Sequence, residues 1–201
     1  MDVEKIIRKK FKVYLNDVSP TVLLSRIKKE NVTRNNLAEL IGEIGFKYGA
    51  EIGVYTGSFS HKLLSSMVDG RLILVDPWGS YGSCPAERSE RRYQRTLERL
   101  KNYKDNIIIQ RIPSQTAVLK IKDESLDFVY IDALHDFNNG VIDIIQWERK
   151  VKSGGIVSGH DYYNGPGFGI IQAVDAYTKC NHIDHFYITR EGIPSWFWVK
   201  N

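Results

Sequence analysis

The sequence predicts one α/β domain whose mostly parallel sheet ends in an antiparallel hairpin. Three observations predict it: short apolar runs, amphipathic segments between them, and a tight turn between the last two runs. Strands that are apolar on both faces and alternate with helices form a parallel sheet buried between helix layers. The seven runs are AEIGV, LILVD, NIIIQ, DFVYID, GIVSGHD, HFYITR and SWFWVK, at 50–54, 72–76, 106–110, 127–132, 155–161, 185–190 and 195–200.

Helix-like stretches separate the first five runs, and one more follows the fifth. They occupy 58–68, 86–103, 114–121, 138–150 and 167–179. Only EGIP, at 191–194, separates the last two runs, so these should pair as a hairpin with one antiparallel strand. We expect residues 46–201 to form the main domain and residues 1–45 to form a helical segment of the same domain. Thr33 is a plausible start and Gly45 a plausible stop for a helix in that segment.

Length and composition restrict the class of protein. With 201 residues, 42% hydrophobic and 26% charged, the chain is long enough for one domain with a sizeable core. It lacks the run of about 18 to 20 apolar residues that would span a bilayer, and residues 1–18 lack the apolar stretch of a signal peptide. These features predict a cytoplasmic protein without a membrane span.

The charge distribution makes nucleic acid an unlikely substrate. Residues 1–30 contain eight Lys or Arg and four Asp or Glu, which accounts for the whole net charge of +4, and the rest of the chain is neutral. A protein that grips a phosphate backbone usually concentrates positive charge around its working face. We therefore expect a small-molecule partner. The role of the basic segment stays open: its helices cover the pocket or pair with another subunit in a homo-oligomer.

A glycine turn preceded by an acid lies where the first strand meets the first following helix. Glycines there allow a sharp turn and close approach to a ligand, although a plain tight turn explains the GxxxG spacing as well. A pyrophosphate would avoid the acid, whereas S-adenosylmethionine carries a sulfonium and an ammonium and would be attracted by it. The expected cofactor contacts are Glu51, Gly53, Tyr55, Thr56, Gly57 and Ser58.

Asp76 closes the second run about 25 residues later, where an acid can accept hydrogen bonds from ribose hydroxyls. Trp78 follows it and packs against the adenine or fills the loop. Ser114 and Gln115 come after the third run, where such folds contact the base. The alternative for Asp76 is a capping or solvent-facing side chain.

Polar side chains also follow the fourth and fifth runs. The fourth ends in Asp132 and His135, and the fifth in His160 and Asp161. Ligands in open α/β sheets bind outside the carboxyl ends of the strands, so these four side chains should converge beside the cofactor. Imidazole titrates nearest to neutral pH, which makes His135 the first candidate for a general base and His160 the second.

This block resembles a branch of small bacterial and phage class I S-adenosylmethionine-dependent methyltransferases. The resemblance rests on DFVYIDALHDF…GGIVSGHDY from Asp127 to Tyr162, on EIGVYTGSFS, VDPW and GFGI, and on PSW near 195, and it covers about residues 46–200. It implies a Rossmann-like seven-stranded fold whose last strand inserts antiparallel beside the fifth. Phe137 stands where the family usually has Tyr, and Asn138-Asn139 replace an acidic-small pair. The resemblance implies a reaction type and leaves the acceptor open.

The chain is too short for a separate recognition domain, so we expect O-methylation of a small molecule or of a sugar or glycan acceptor, with His135, His160 and Asp161 as catalytic candidates and Asp132 also near the cofactor. Related enzymes hold Mg²⁺ with acids at these strand ends, and Asp132 and Asp161 match two of those positions. His160 in place of a third oxygen ligand weakens that match. Two alternatives stay open, namely a nucleotide- or NAD-binding Rossmann enzyme and a catalytically silent cofactor-binding module.

Overall fold

The computed structural model describes residues 2–13, 21–24, 32–79 and 85–201. Their strands form one eight-stranded sheet in the order β1-β7-β8-β6-β5-β2-β3-β4. The strands are β1 Thr21–Leu23, β2 Tyr48–Ile52, β3 Arg71–Val75, β4 Ile107–Gln110, β5 Leu126–Ile131, β6 Val151–Gly159, β7 Phe186–Ile188 and β8 Trp196–Val199. The α-helices are α1 Val3–Phe11, α2 Arg34–Ile44, α3 Ser58–Ser66, α4 Ala86–Arg99, α5 Ser114–Ala117, α6 Phe137–Glu148 and α7 Ile170–Cys180.

The predicted α/β architecture is confirmed. β8 pairs antiparallel with both β6 and β7, and every other strand pair is parallel. Apolar residues cover both faces of the sheet, as the unbroken apolar runs predicted. One face packs against α1, α2 and α3, and the other packs against α6 and α7.

The N-terminal segment differs from its prediction, because it contains a strand as well as helices. Thr21–Leu23 form β1, which pairs parallel with β7 and adds an eighth strand to the expected seven. The backbone amide of Leu24 continues the ladder by donating to the carbonyl of Ile188. Two β-branched residues favour this extended conformation, and the free edge of β7 supplies the partner.

The helix predicted between Thr33 and Gly45 is present. Thr33 and Asn36 form a capping box at the start of α2, and Gly45 ends the helix with a positive φ of 86°. Three of the eight basic residues among residues 1–30, namely Arg26, Lys28 and Lys29, lie outside the described residues. No helix in the described part of the chain is both long and apolar enough to cross a membrane.

Strand register brings the carboxyl ends of β2, β5 and β6 to one level. Ile52 lies opposite Ile131, which in turn lies opposite Gly159. The next residues continue the ladder, since the amide of Asp132 donates to Ile52 and the amide of His160 donates to Ile131. The residues that follow these strands therefore meet at one rim, which is where the polar side chains lie.

Candidate active site

The turn between β2 and α3 packs directly against the end of β5. Gly53 has a φ of +88°, and a Cβ at this position would lie 1.9 Å from the carbonyl oxygen of Asp132. Gly57 also has a positive φ, of 70°, and it caps α3. Glycine is therefore required at 53 both for the backbone conformation and for the close approach.

Asp76, at the end of β3, holds this turn in place. One of its carboxylate oxygens accepts the backbone amides of Val54 and Tyr55 at 3.1 and 2.9 Å, and the other accepts the amide of Trp78 at 2.7 Å. A carboxylate has about four acceptor positions, so Asp76 retains room for one more donor. The capping alternative and the predicted ribose contact are therefore compatible.

A cavity of about 470 Å³ opens at this rim, which is within the range of small-molecule sites. Part of its wall is apolar and comes from Ile52, Val75, Pro77 and Ala133. The residues predicted from sequence that line it are Gly53, Tyr55, Asp76, Trp78, Ser114, Gln115, Asp132 and His135. The other predicted residues, which do not line it, are Glu51, Thr56, Gly57, Ser58, His160 and Asp161.

Glu51 lies behind the glycine turn instead of facing the cavity. Glu51 is only 2% exposed, and its carboxyl group accepts a hydrogen bond from the hydroxyl of Ser60. Burial raises the pKa of Glu51 to about 8, and the Ser60 hydrogen bond opposes this rise. At neutral pH the carboxyl is therefore mainly protonated, and its expected attraction for a cation requires loss of that proton.

Asp161 links the two histidines of the rim. His160 Nδ1 lies 3.0 Å from one of its carboxylate oxygens, and His135 Nδ1 lies 3.5 Å from the other. Asp161 has a positive φ of 62°, a conformation that is uncommon for residues other than glycine and that often occurs at functional sites. The ring of His135 stacks on Phe168 with centroids 4.6 Å apart, so one face of the imidazole is supported.

The two histidines differ in environment. His135 is about half exposed and lines the cavity, whereas His160 is mostly buried behind it. Burial of His160 acts to lower its pKa, but the hydrogen bond with Asp161 and the charge of Asp132 outweigh burial and raise the pKa. The raised pKa favours the protonated form of His160, and its burial behind the cavity suits a positioning role beside Asp161 better than that of a base.

Arg34 completes the rim from the N-terminal segment, and no sequence motif indicated it. Its guanidinium lies 3.4 Å from Asp132 Oδ2 and 5.4 Å from the ring centroid of Phe59. The backbone amide of Arg34 donates to Glu191, which fixes the start of α2 against the loop before β8. No local motif could reveal a contact between residues 98 positions apart.

Two residues of α6 also line the cavity without having been predicted to do so. Asn139 and Asp143 are four positions apart, which places them on one face of the helix. The hydroxyl of Ser114 donates to Asp143 and accepts the indole N–H of Trp147. Burial raises the pKa of Asp143 to about 6, against the opposing effect of Ser114.

Three of these side chains have the spacing of a metal site. One ligand atom from each of Asp132, His160 and Asp161 lies within 4.8 Å of the others. Mg²⁺ prefers oxygen ligands, so the histidine fits it poorly. Arg34 already places positive charge against Asp132, and the imidazole of His160 lies against Asp161.

Three solved structures that share this fold are named as methyltransferases. An O-methyltransferase from Bacillus cereus in complex with SAH has 16% identity and a TM-score of 0.63, covering 99% of this chain and 90% of that chain. The O-methyltransferase TomG from Streptomyces achromogenes, in complex with SAM, has 13% identity and a TM-score of 0.63 and covers 100% and 90%. The N-methyltransferase NodS from Bradyrhizobium japonicum has 15% identity and a TM-score of 0.56 and covers 84% and 95%.

At these identities the likeness shows the fold alone. A search of curated proteins finds no matching relative. A family model described as a methyltransferase domain matches residues 50–162, which is more than half of the chain. The match spans the glycine turn, Asp76 and both polar strand ends, and the chain belongs to this methyltransferase domain family.

Proposed function

We propose that the protein transfers a methyl group from S-adenosylmethionine to an oxygen of a small-molecule or sugar acceptor. The observation that carries the proposal is that a single cavity joins the Asp76-braced glycine turn to His135. The solved structures with SAH and SAM support the choice of cofactor. The proposal places the chain in the class I enzymes, in the small bacterial and phage branch that its motifs resemble.

The cavity suits the chemistry of this cofactor. Asp76 retains acceptor capacity for ribose hydroxyls, and Trp78 and Pro77 supply an apolar wall for the adenine. Asp132 lines the cavity and provides a carboxyl group that a sulfonium and an ammonium favour, whereas Glu51 behind the turn adds negative charge only after losing its proton. When bound, S-adenosylmethionine supplies an electrophilic methyl group. We assign its binding to residues 46–201 and treat residues 1–45 as part of the same domain.

His135 is the proposed general base. It faces the cavity, Asp161 lies 3.5 Å from its Nδ1, and Phe168 supports its ring, so Nε2 is left to take a proton from an acceptor hydroxyl. His160 holds Asp161 from the other side, which makes it a positioning residue. An oxygen acceptor must lose a proton during transfer, and this requirement favours O-methylation at a site that contains a base.

Charge compensation by Arg34 favours a reaction without a divalent metal. A metal held by Asp132 and Asp161 would have to displace the guanidinium that lies 3.4 Å from Asp132 and the imidazole that lies 3.0 Å from Asp161. The metal site predicted from sequence therefore stays the less favoured alternative, and chelation tests it.

The test combines a binding measurement with a variant. Calorimetry should detect SAH binding to the wild-type chain, and His135→Ala should retain that binding because cofactor contacts lie elsewhere in the cavity. With an acceptor identified by mass spectrometry of methylated products, His135→Ala should lower turnover by ~100-fold or more. His185→Ala is the matched control, since His185 is remote from the cavity lining. Absence of SAH binding would refute the function, whereas unchanged turnover would refute only the role of His135.

A further inference from the structure

Helix α4 gathers its arginines on one side. At about 100° per residue, its five arginines fall within an arc of about 100°. Its acids, Glu87, Glu90 and Glu98, fall outside that arc, and buried Ser89 and Thr96 define the face that packs against the domain. The arginines are Arg88, Arg91, Arg92, Arg95 and Arg99.

Most of this arc faces a recess at the mouth of the cofactor cavity. The recess has a volume of about 300 Å³ and is called here the arginine recess. Its lining consists of Tyr55, Thr56, Arg88, Arg91, Arg92 and Arg95. Among the described residues no carboxylate lines it, and residues 77–85, which precede α4, contain no acid.

Two contacts fix the helix over the glycine turn. The guanidinium of Arg92 lies 4.4 Å from the ring centroid of Tyr55, and Arg99 donates to the carbonyl and the hydroxyl oxygen of Thr56 at 2.5 and 3.1 Å. Arg92 and Tyr55 also line the cofactor cavity, so they form a shared wall between it and the recess.

The remaining arginines are weakly compensated. Arg91 approaches Glu87 only at 3.9 Å, with both side chains largely exposed. Arg88 and Arg95 form no ion pair with any carboxylate in the described part of the chain. Several like charges on one helix face repel one another, and a bound polyanion would relieve that repulsion.

We propose that the arginine recess binds the phosphate or diphosphate group of the methyl acceptor. Guanidinium groups bind phosphate oxygens in a bidentate manner, and α4 presents several of them side by side. The cofactor contributes a single carboxylate, which leaves most of this positive charge for a second ligand. The shared wall puts that ligand beside the methyl donor. Because the rest of the chain beyond residue 30 is neutral overall, a compact phosphorylated molecule fits better than a nucleic acid.

The assignment of the anion to the acceptor rests on the proposed function, whereas anion binding itself does not. Inorganic pyrophosphate is the probe, measured by calorimetry on the full chain at low salt. Arg88→Gln/Arg95→Gln should weaken pyrophosphate binding about tenfold or more and leave SAH affinity unchanged. Arg71→Gln/Arg149→Gln removes the same charge at the amino ends of β3 and β6, outside the recess lining, and should bind pyrophosphate like the wild type.

Each outcome decides one point. If both double variants bind pyrophosphate equally well, the proposal that the arginine recess binds the anion is overturned. If Arg88→Gln/Arg95→Gln loses binding of both SAH and pyrophosphate, the recess belongs to the cofactor site. If an RNA oligonucleotide binds through these arginines more tightly than pyrophosphate does, the ligand is a nucleic acid, and the proposed phosphorylated acceptor is overturned. If pyrophosphate binds through these arginines but SAH does not bind at all, the methyltransferase proposal fails and the anion site stands. In turnover assays, phosphorylated sugars should be methylated faster than their unphosphorylated counterparts, and the reverse order of rates overturns the acceptor assignment.

Discussion

Replacing Glu51 with glutamine tests how a buried carboxyl at the end of β2 affects stability. Burial raises the pKa of Glu51 to about 8, and Ser60 donates the hydrogen bond that opposes the rise. Glutamine keeps the shape of the side chain and an acceptor for the Ser60 hydroxyl, but it cannot ionise. The variant therefore removes the titration while preserving the packing around it.

Proton linkage gives the direction and the size of the effect. Between pH 4.5 and pH 8 the folded chain keeps the Glu51 proton, and the unfolded chain has lost it, so the free energy of unfolding falls as pH rises. Each pH unit in this interval lowers that free energy by about 1.4 kcal/mol, and the whole interval amounts to about 5 kcal/mol. The stabilisation that protonated Glu51 contributes is fully present below pH 4.5 and is lost as the pH rises to about 8.

Urea denaturation at several pH values between 5 and 8 measures this effect. The wild-type free energy of unfolding minus that of Glu51→Gln should decrease by about 1.4 kcal/mol per pH unit, because the subtraction cancels other titrating groups. Glu98→Gln, an exposed site on α4, removes one charge and should keep the wild-type slope. Parallel curves for wild type and Glu51→Gln would show that Glu51 is ionised in the folded protein and would refute the reasoning.

Three further predictions concern the site. The affinity for S-adenosylmethionine should rise from pH 6 to pH 9 as Glu51 loses its proton, and calorimetry with Glu51→Gln should show a flatter profile; identical profiles would exclude this coupling. Arg34→Gln should reduce turnover by ~10-fold, because Asp132 loses a charged partner, while SAH still binds; an unchanged rate would leave Arg34 a purely structural residue. Exhaustive chelation should leave turnover within about twofold, and a loss that added Mg²⁺ restores would identify a metal enzyme.

Strand positions and the location of the site follow from simple rules applied to the sequence. The apolar runs became β2 to β8, because a parallel sheet buried on both faces admits few polar residues within its strands. The rule that ligands bind at the carboxyl ends of strands then selected Asp76, Asp132 and His135, which line the cavity. These features depend on local pattern and on strand order.

Features that depend on distant contacts were not predictable in the same way. β1 is three residues long and exists through its pairing with β7, more than 160 positions away. Arg34 reaches Asp132 only because α2 packs across the rim. The burial of Glu51 was also missed, since a strand covered on both faces gives no indication of which side chains reach the ligand.

The insertion of β8 between β6 and β7 has a consequence for the order of assembly during synthesis. The indole N–H of Trp196 donates to the carbonyl of His160 at 2.9 Å, so the backbone at the end of β6 is secured by a strand made much later. When the ribosome has synthesised β2 to β6 but not yet β8, the rim of the nascent chain still lacks this hydrogen bond. Enzymatic competence should therefore emerge late in translation, after synthesis of the glycine turn between β2 and α3.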